Sequence, residues 1–424
     1  MKTINQWKED FSCGKMDAEL QKLYNETEEN KSRYIEVLEG FEEYFGADQR
    51  EVMLCSAPGR TEIGGNHTDH QHGRCLAGSV NLDIIAAVAL NGTDKVRVKS
   101  KGYNEDSIDI NDLEIHQDEI NKSASLIRGV LKKFSEKGCD IKGVDVYTVS
   151  NVLKGSGLSS SAAYEVLIAS FINHLFNGDK ASPVEIAQIS QYAESVYFGK
   201  PCGLLDQTAS AAGNMVEMDF NDPKNPQITK VDFDFSKSGY ALCIIDTGAD
   251  HADLTDEYAA IPIELKVISN YFGKDVLRDI PKEDVMSNIP SLRRLAGDRA
   301  VLRAVHFYND DERVPMQAEA LKNNDFDTFL RLVKESGRSS WMYLQNVIPA
   351  GYKEHQDVAL SLMLCDNFLE GRGAYRIHGG GFAGTVQAFV PYDILDRFKT
   401  GIESVLGEDS CHVLFIRPVG FHIM

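Results

Sequence analysis

The sequence predicts an α+β protein built from two domains. The chain has 424 residues, too many for one small module and suited to two units of ordinary size. Period-2 and helix-period apolar stretches alternate without a strict βαβα repeat. With 43% apolar and 25% charged residues the composition is that of a globular chain able to bury a core without staples.

Taken in order, residues 17–45 read as helix: Leu20, Leu23, Tyr24, then Tyr34, Val37, Leu38, Phe41 and Phe45 recur at helical spacing, and the polar stretch 25–32 separates two helices. Residues 51–57 form a short apolar strand ending at Pro58-Gly59, and 79–89 and 95–99 are further strands. Residues 123–138 place Leu126, Ile127, Val130, Leu131 and Phe134 on one helical face, and 144–150 is a strand running into a Gly/Ser turn. Helices follow over 162–176 and 184–198, the second announced by Ser182-Pro183. Beyond it lie a strand at 240–246, helices at 254–272, 291–307, 313–321, 325–336 and 356–369, strands at 374–377 and 385–390, a helix at 392–404 and a strand at 412–417. The polar run 221–226 sets the expected division, 1–222 and 223–424.

A net charge of −20 argues against nucleic acid or anionic membrane as the main partner, while a local backbone site for a nucleotide stays open. Eight scattered cysteines contain no C-x-x-C pair, so reduced thiols in the cytoplasm are expected rather than a disulfide framework. The first fifteen residues lack a secretory h-region, and no apolar run approaches a membrane span.

Three loops hold the chemistry. Residues 153–163, LKGSGLSSSAA, place Gly155 and Gly157 between a strand and an apolar helix, with Ser159, Ser160 and Ser161 at the helix start. Glycines let the backbone fold tightly against a ligand, and a helix N-terminus offers free N–H groups and a positive dipole end to phosphate. The plainer alternative is a turn with serine N-caps. Neither a P-loop nor a G-x-S-x-G elbow is present. Residues 59–73, GRTEIGGNHTDHQHG, gather Arg60, His67 and Asp69, groups able to bond several sugar hydroxyls; His67, His70 and His72 also offer a loose zinc spacing, and a solvated turn is the plain alternative. Residues 376–390 match G-x-G-x-x-G at Gly379, Gly381 and Gly384, but a strand pattern follows, so a glycine hairpin is expected rather than a dinucleotide fingerprint. Finally, AESVYFGKPCGLLDQ at 193–207 brings Glu194 and Asp206; Asp206 opens a helix as either a cap or a base.

The loops occur together and in this order, and the combination resembles the GHMP kinase superfamily and, within it, the galactokinase family, from about Phe41 to near residue 420. The resemblance implies an N-terminal domain of the ribosomal S5 domain 2-like type, a ferredoxin-like C-terminal domain, and ATP-dependent phosphorylation of galactose at its anomeric hydroxyl with Mg²⁺. It implies that Asp206 is the catalytic base and Arg60 its partner. Asn66, His67, Asp69, Gly203 and Tyr258 match sugar-binding positions. Gly155, Ser156, Gly157, Leu158, Ser159, Ser160 and Ser161 match the ATP phosphate loop, and Ser161 with Glu194 the Mg²⁺ ligands. Gly379 to Gly381 support the site from the second domain. The expected partners are sugar and ATP, with no nucleic acid, membrane or protein partner.

The chain departs from the family pattern at several points. Asn66 stands where the family has Glu, Glu62 where it has Asn, and His70 where it has Tyr; the E-S-H-x-S-L motif reads ESGRSSWMYLQN at 335–346. By resemblance the missing glutamate contacts the hydroxymethyl end of the sugar, so the same chemistry on galacturonate, N-acetylgalactosamine or arabinose is the close alternative. A non-catalytic sugar sensor is a second; the intact Ser161-Ala162, Glu194, Asp206 and Arg60 favour an enzyme.

Overall fold

The N-terminal segment folds into three helices, α1 (Ile4–Ser12), α2 (Asp17–Tyr24) and α3 (Glu28–Phe45). In this computed structural model, which describes residues 1–46, 49–153, 157–249 and 254–424, they lie on one face of a sheet. That sheet begins with β1 (Met53–Gly64), β2 (Arg74–Leu90), β3 (Lys95–Ser100) and β4 (Glu105–Asp109), continues after α4 (Ser123–Glu136) with β5 (Val144–Ser150), and after α5 (Ser160–Asn177), α6 (Pro183–Tyr192) and α7 (Leu205–Ala212) with β6 (Met215–Asp219) and β7 (Gln227–Lys230). The second half comprises β8 (Tyr240–Asp246), α8 (Thr255–Tyr271), α9 (Lys282–Ser287), α10 (Ile289–Lys322), α11 (Phe326–Ser339), α12 (Asp357–Leu369), β9 (Ala374–His378), β10 (Thr385–Pro391), α13 (Leu395–Leu406), β11 (Cys411–Leu414) and β12 (His422–Ile423).

Two sheets result, with orders β12-β1-β2-β5-β3-β4 and β11-β8-β10-β9; β6 pairs with β2 and β7 with β6. Period-2 alternation explains how each is covered on both faces. Met53, Cys55, Ile84, Ala86 and Val88 pack with α4 and α5, while Leu54, Ile85, Ala87 and Ala89 meet Trp7, Phe11, Tyr34 and Phe41. In β8, Leu242 and Ile244 join the core that includes Phe329 and Val333 of α11, whereas Ala241, Cys243 and Ile245 pack with α12 and α13. The buried Leu, Ile, Val, Met and Phe side chains among these contribute about 1.5–3 kcal/mol each. The N-terminal helices are pinned electrostatically as well: buried Asp83 accepts from Tyr24 Oη at 2.6 Å, Arg33 Nη2 at 2.7 Å and Arg417 Nη1 at 2.7 Å.

Several elements differ from the sequence-based expectation. The first strand does not stop at Pro58-Gly59 but runs to Gly64, with register shifts between Pro58 and Arg60 and between Glu62 and Gly64. Bulges absorb the Pro and Gly residues that read as a strand end. The helix expected over 184–198 ends as a π-helical turn, Ala193–Phe198, and the expected helices at 291–307 and 313–321 run together, the chain breaking instead at Gly297, whose φ 84° and ψ 171° are not helical. Strands β4 and β7 are short and polar, and β6, Met-Val-Glu-Met-Asp, is too short to carry a readable alternation. We propose that the division between units falls close to 222/223, with β7 and β12 returned to the larger sheet, where β7 pairs β6 and β12 pairs β1.

Candidate active site

The N-terminus of helix α5 lies beside Asp206 of α7 and the His378–Thr385 end of β9 and β10. Ser159 occupies the N-cap position with φ 57° and makes no side-chain cap bond. Its hydroxyl instead donates to Asp206 Oδ2 at 2.6 Å. The helix end therefore keeps its dipole and N–H groups without a side-chain cap, the condition an anion site needs. Gly157 holds φ 67°, and a Cβ there would lie 3.0 Å from His378 Nδ1 and 3.1 Å from Thr385 Oγ1. This glycine is fixed both by conformation and by close approach of β9 and β10. Leu158 is fully buried, and Ser160 and Ser161 open the helix. Gly155 and Ser156 lie outside the described residues.

Asp206 is the second residue of α7, not its N-cap. Its Oδ1 accepts from Arg60 at 2.6 Å, and Arg60 also donates to the Gly157 carbonyl while its own N–H bonds the Leu158 carbonyl at 3.0 Å. Burial raises the Asp206 pKa, but the Arg60 charge, the Ser159 and Arg60 hydrogen bonds and the charge of Lys200 outweigh it, leaving the carboxyl below its usual range. The group is thus ionised at neutral pH, and a third of its side-chain surface, 34%, stays open.

Behind α5 a second acid pair forms. Ser161 Oγ donates to Glu194 Oε1 at 3.2 Å, Lys200 Nζ reaches the same oxygen at 3.3 Å, and Gln207 Nε2 bonds Glu194 Oε2 at 2.8 Å and Glu165 Oε2 at 3.2 Å. Burial, then the charge of Glu194, pushes the Glu165 carboxyl well above the carboxylate range. Gln207 thus bridges the two carboxyl groups with one amide nitrogen. The π-helical turn sets Glu194 inward; such turns recur at functional sites.

Asp69 approaches from the other side. A Cβ on Gly203 would sit 1.9 Å from Asp69 Oδ2, so only glycine lets the carboxylate lie there. Among the described residues the nearest charged partner of Asp69 is His70 at 3.8 Å, which leaves the oxygens able to accept from a ligand. His67, at φ 59°, donates Nε2–H to the Gly380 carbonyl at 2.7 Å. Burial depresses its pKa to about 4, so the ring is neutral and Nδ1 is a further acceptor. Tyr258 donates to the Gly381 carbonyl at 2.6 Å and meets Phe382 edge to face. The glycine hairpin expected at 379–384 is present, with β9 paired to β10 from His378 and Thr385. Among the described residues no three His, Cys, Asp or Glu side chains are grouped to hold a metal ion, and the His67 ring is committed to the hairpin.

Asn66 is placed differently from the others. It is fully buried, and its Nδ2 donates to Glu62 Oε1 at 3.0 Å and to the Gly379 carbonyl at 2.7 Å. Its Oδ1 accepts from Asn346 at 2.9 Å and Ser340 at 3.2 Å. Every hydrogen-bonding position of this amide is spent on the protein. The two departures at 62 and 66 touch one another, and the carboxylate now resides on Glu62, paired with Arg376 at 2.6 Å. Burial pushes Glu62 up to about 7 against the opposing charges of Arg376 and Arg60. His306 and Asp310 brace the Asn66 backbone, at 2.9 and 2.8 Å. Sequence reading missed Glu165, Lys200, Gln207, Arg376 and this bracing; a lone charge in the apolar helix 162–176 was the available signal for Glu165.

Comparison with known proteins shows the class: a GHMP kinase. Residues 125–214 match the family described as GHMP kinases N terminal domain, and 39–90 match the galactokinase galactose-binding signature. The galactokinase of Glaesserella parasuis serovar 5 is 31% identical over 361 residues, covering 85% of this chain and 90% of that protein. The galactokinase of Streptomyces coelicolor is 30% identical, covering 86% and 91%. The fold is also that of Lactococcus lactis galactokinase complexed with galactose, with TM-score 0.75, 23% identity and 91% and 98% coverage. The chain belongs to the galactokinase family, and it is a sugar kinase. No helix among the described residues is long and apolar enough to cross a membrane.

Proposed function

We propose that the protein transfers the γ-phosphoryl group of ATP to the anomeric hydroxyl of galactose, giving galactose 1-phosphate and ADP. The observation that carries this reading is the ionised Asp206, held by Arg60 and Ser159 beside the uncapped start of α5. Asp206 accepts the proton of the anomeric hydroxyl, whose oxygen then bonds to the γ-phosphorus as the bond to the bridging β,γ-oxygen breaks and its electron pair leaves with ADP. Such transfers depend on positioning and charge neutralisation more than on covalent chemistry. Arg60 keeps the base ionised and supplies positive charge next to the phosphate loop. Asp69 and the neutral His67 offer acceptors for sugar hydroxyls, and Tyr258 steadies the hairpin that closes over them.

The donor set of Ser161 and Glu194, 3.2 Å apart, fits Mg²⁺, a hard cation that takes few protein oxygens and keeps its other positions for water and phosphate. When bound, it neutralises phosphate charge. Lys200, on the same carboxylate, adds a cation at this edge of the cleft. The reading is tested with a coupled ADP-release assay over galactose, galacturonate, N-acetylgalactosamine and arabinose. Galactose turnover that Asp206→Asn lowers about 10²–10⁴-fold, with ATP binding retained, supports it. No sugar phosphate from any of the four, or full activity of Asp206→Asn, overturns it.

A further inference from the structure

Away from the catalytic cleft a cavity of about 600 Å³ opens between α11, α12 and the start of β9. That volume lies in the range of small-molecule sites. One wall is the outer face of α11, which presents Lys334 and, one turn on, Arg338. Like charges at this spacing repel. Neither has an ion-pair or hydrogen-bond partner among the described residues, in a chain of net charge −20 that supplies acids to most of its other cations. Two further cations line it, both paired: Arg372 on the opposite rim with Asp393 at 2.5 Å and buried Arg376 with Glu62 at 2.6 Å. The one acid in the lining, Asp366, accepts from Tyr375 Oη at 2.7 Å. Trp341, in the π-helical turn Ser340–Leu344, and Met363 are about half exposed at the same opening, at 46% and 52%.

Unpaired cations around a cavity attract an anion, and an open indole beside them offers a planar apolar surface for stacking. We propose that this cavity is a second ligand site, taking a phosphorylated small molecule with a planar ring: the phosphate on Lys334 and Arg338, the ring against Trp341. The inward side of the same helical segment reaches Asn66 directly through Ser340 at 3.2 Å, and reaches the two α10 residues that brace Asn66 through Ser336 to Asp310 at 3.1 Å and Ser339 to His306 at 2.9 Å.

The chain's two tryptophans make the test direct. Trp7 is buried in the N-terminal helical core, so a change in tryptophan emission localised to Trp341 reports on the cavity. Adenosine 5′-monophosphate and inorganic phosphate are titrated separately into the full-length protein. The expected result is a saturable emission change with the monophosphate, lost in Trp341→Phe and weakened at least about tenfold in Lys334→Glu/Arg338→Glu, whose galactose phosphorylation and melting temperature match the parent. No emission change with the monophosphate overturns the site. So does a change that survives in Trp341→Phe, one weakened less than about tenfold in Lys334→Glu/Arg338→Glu, or inorganic phosphate binding as tightly as the monophosphate. Because emission is read without turnover, failure here is separate from failure of the kinase reading.

Discussion

Gly203→Ala tests the proposed sugar subsite with one carbon. The new Cβ falls 1.9 Å from Asp69 Oδ2 and 2.9 Å from its Cγ, whereas ordinary contact begins at 3.4 Å. The carboxylate must retreat by about 1.5 Å. What it meets is the free end of a side chain on a neighbouring segment rather than backbone, so the fold accommodates the methyl and the melting temperature holds. Catalysis does not: a misplacement of order 1 Å in a positioning group costs about 10²-fold, or about 2.7 kcal/mol of transition-state stabilisation. Initial rates with galactose and ATP varied in turn should show kcat/KM for galactose falling about 100-fold, with KM for ATP within about twofold. The same change made in an Asp69→Ala background should cost little more, because the clash is then gone. Unchanged kcat/KM for galactose, or an equal loss in the Asp69→Ala background, would refute the assignment of Asp69 and Gly203 to one sugar subsite.

Arg60→Met removes the charge and hydrogen bonds that hold Asp206 ionised, so burial then dominates and the carboxyl pKa rises. The acid limb of the kcat/KM–pH profile should move to higher pH; a stationary limb would separate that limb from Asp206. Glu194→Gln keeps the Gln207 contact in reach but removes the charge beside Ser161, and should raise the Mg²⁺ concentration for half-maximal rate about tenfold or more, read by Mg²⁺ titration and by calorimetric Mg²⁺–ATP binding. Asn66→Glu replaces two donated hydrogen bonds with a second carboxylate against Glu62 Oε1 and the Gly379 carbonyl. Denaturant unfolding should show a loss of about 3 kcal/mol, partly recovered by adding Glu62→Gln; a neutral single variant would show that the amide is not held as the structure places it.

The sequence exposed the parts of the site that cluster along the chain. Gly157 to Ser161, Arg60, His67, Asp69, Asp206 and Glu194 sit in short glycine-bounded stretches whose residue types have few structural uses together. Other features are long-range: Glu62 meets Arg376 across 314 positions, and Asn66 meets Asn346 across 280. Position 66 shows the difference most clearly. As a residue type in a polar loop it reads as a sugar contact, whereas the fold surrounds it with a donor or acceptor on every side. The same holds for β1, whose continuation past Pro58 depends on pairing with β2 and on two bulges that no local pattern announces.

By itself, then, the amino-acid order determined the α+β class, most of the helices, the start of α5 at its serine run and the acids eligible to act as a base. These follow from backbone conformation and local periodicity, which short-range sterics and side-chain chemistry govern. Only the tertiary structure decided that Ser159 turns to Asp206 instead of capping its helix, that Asn66 is spent on the protein, and that Lys334 and Arg338 share a cavity with an open tryptophan. A side chain's partner is chosen by what the folded chain brings within about 3 Å of it, and that is a property of the assembled layers rather than of neighbours in sequence.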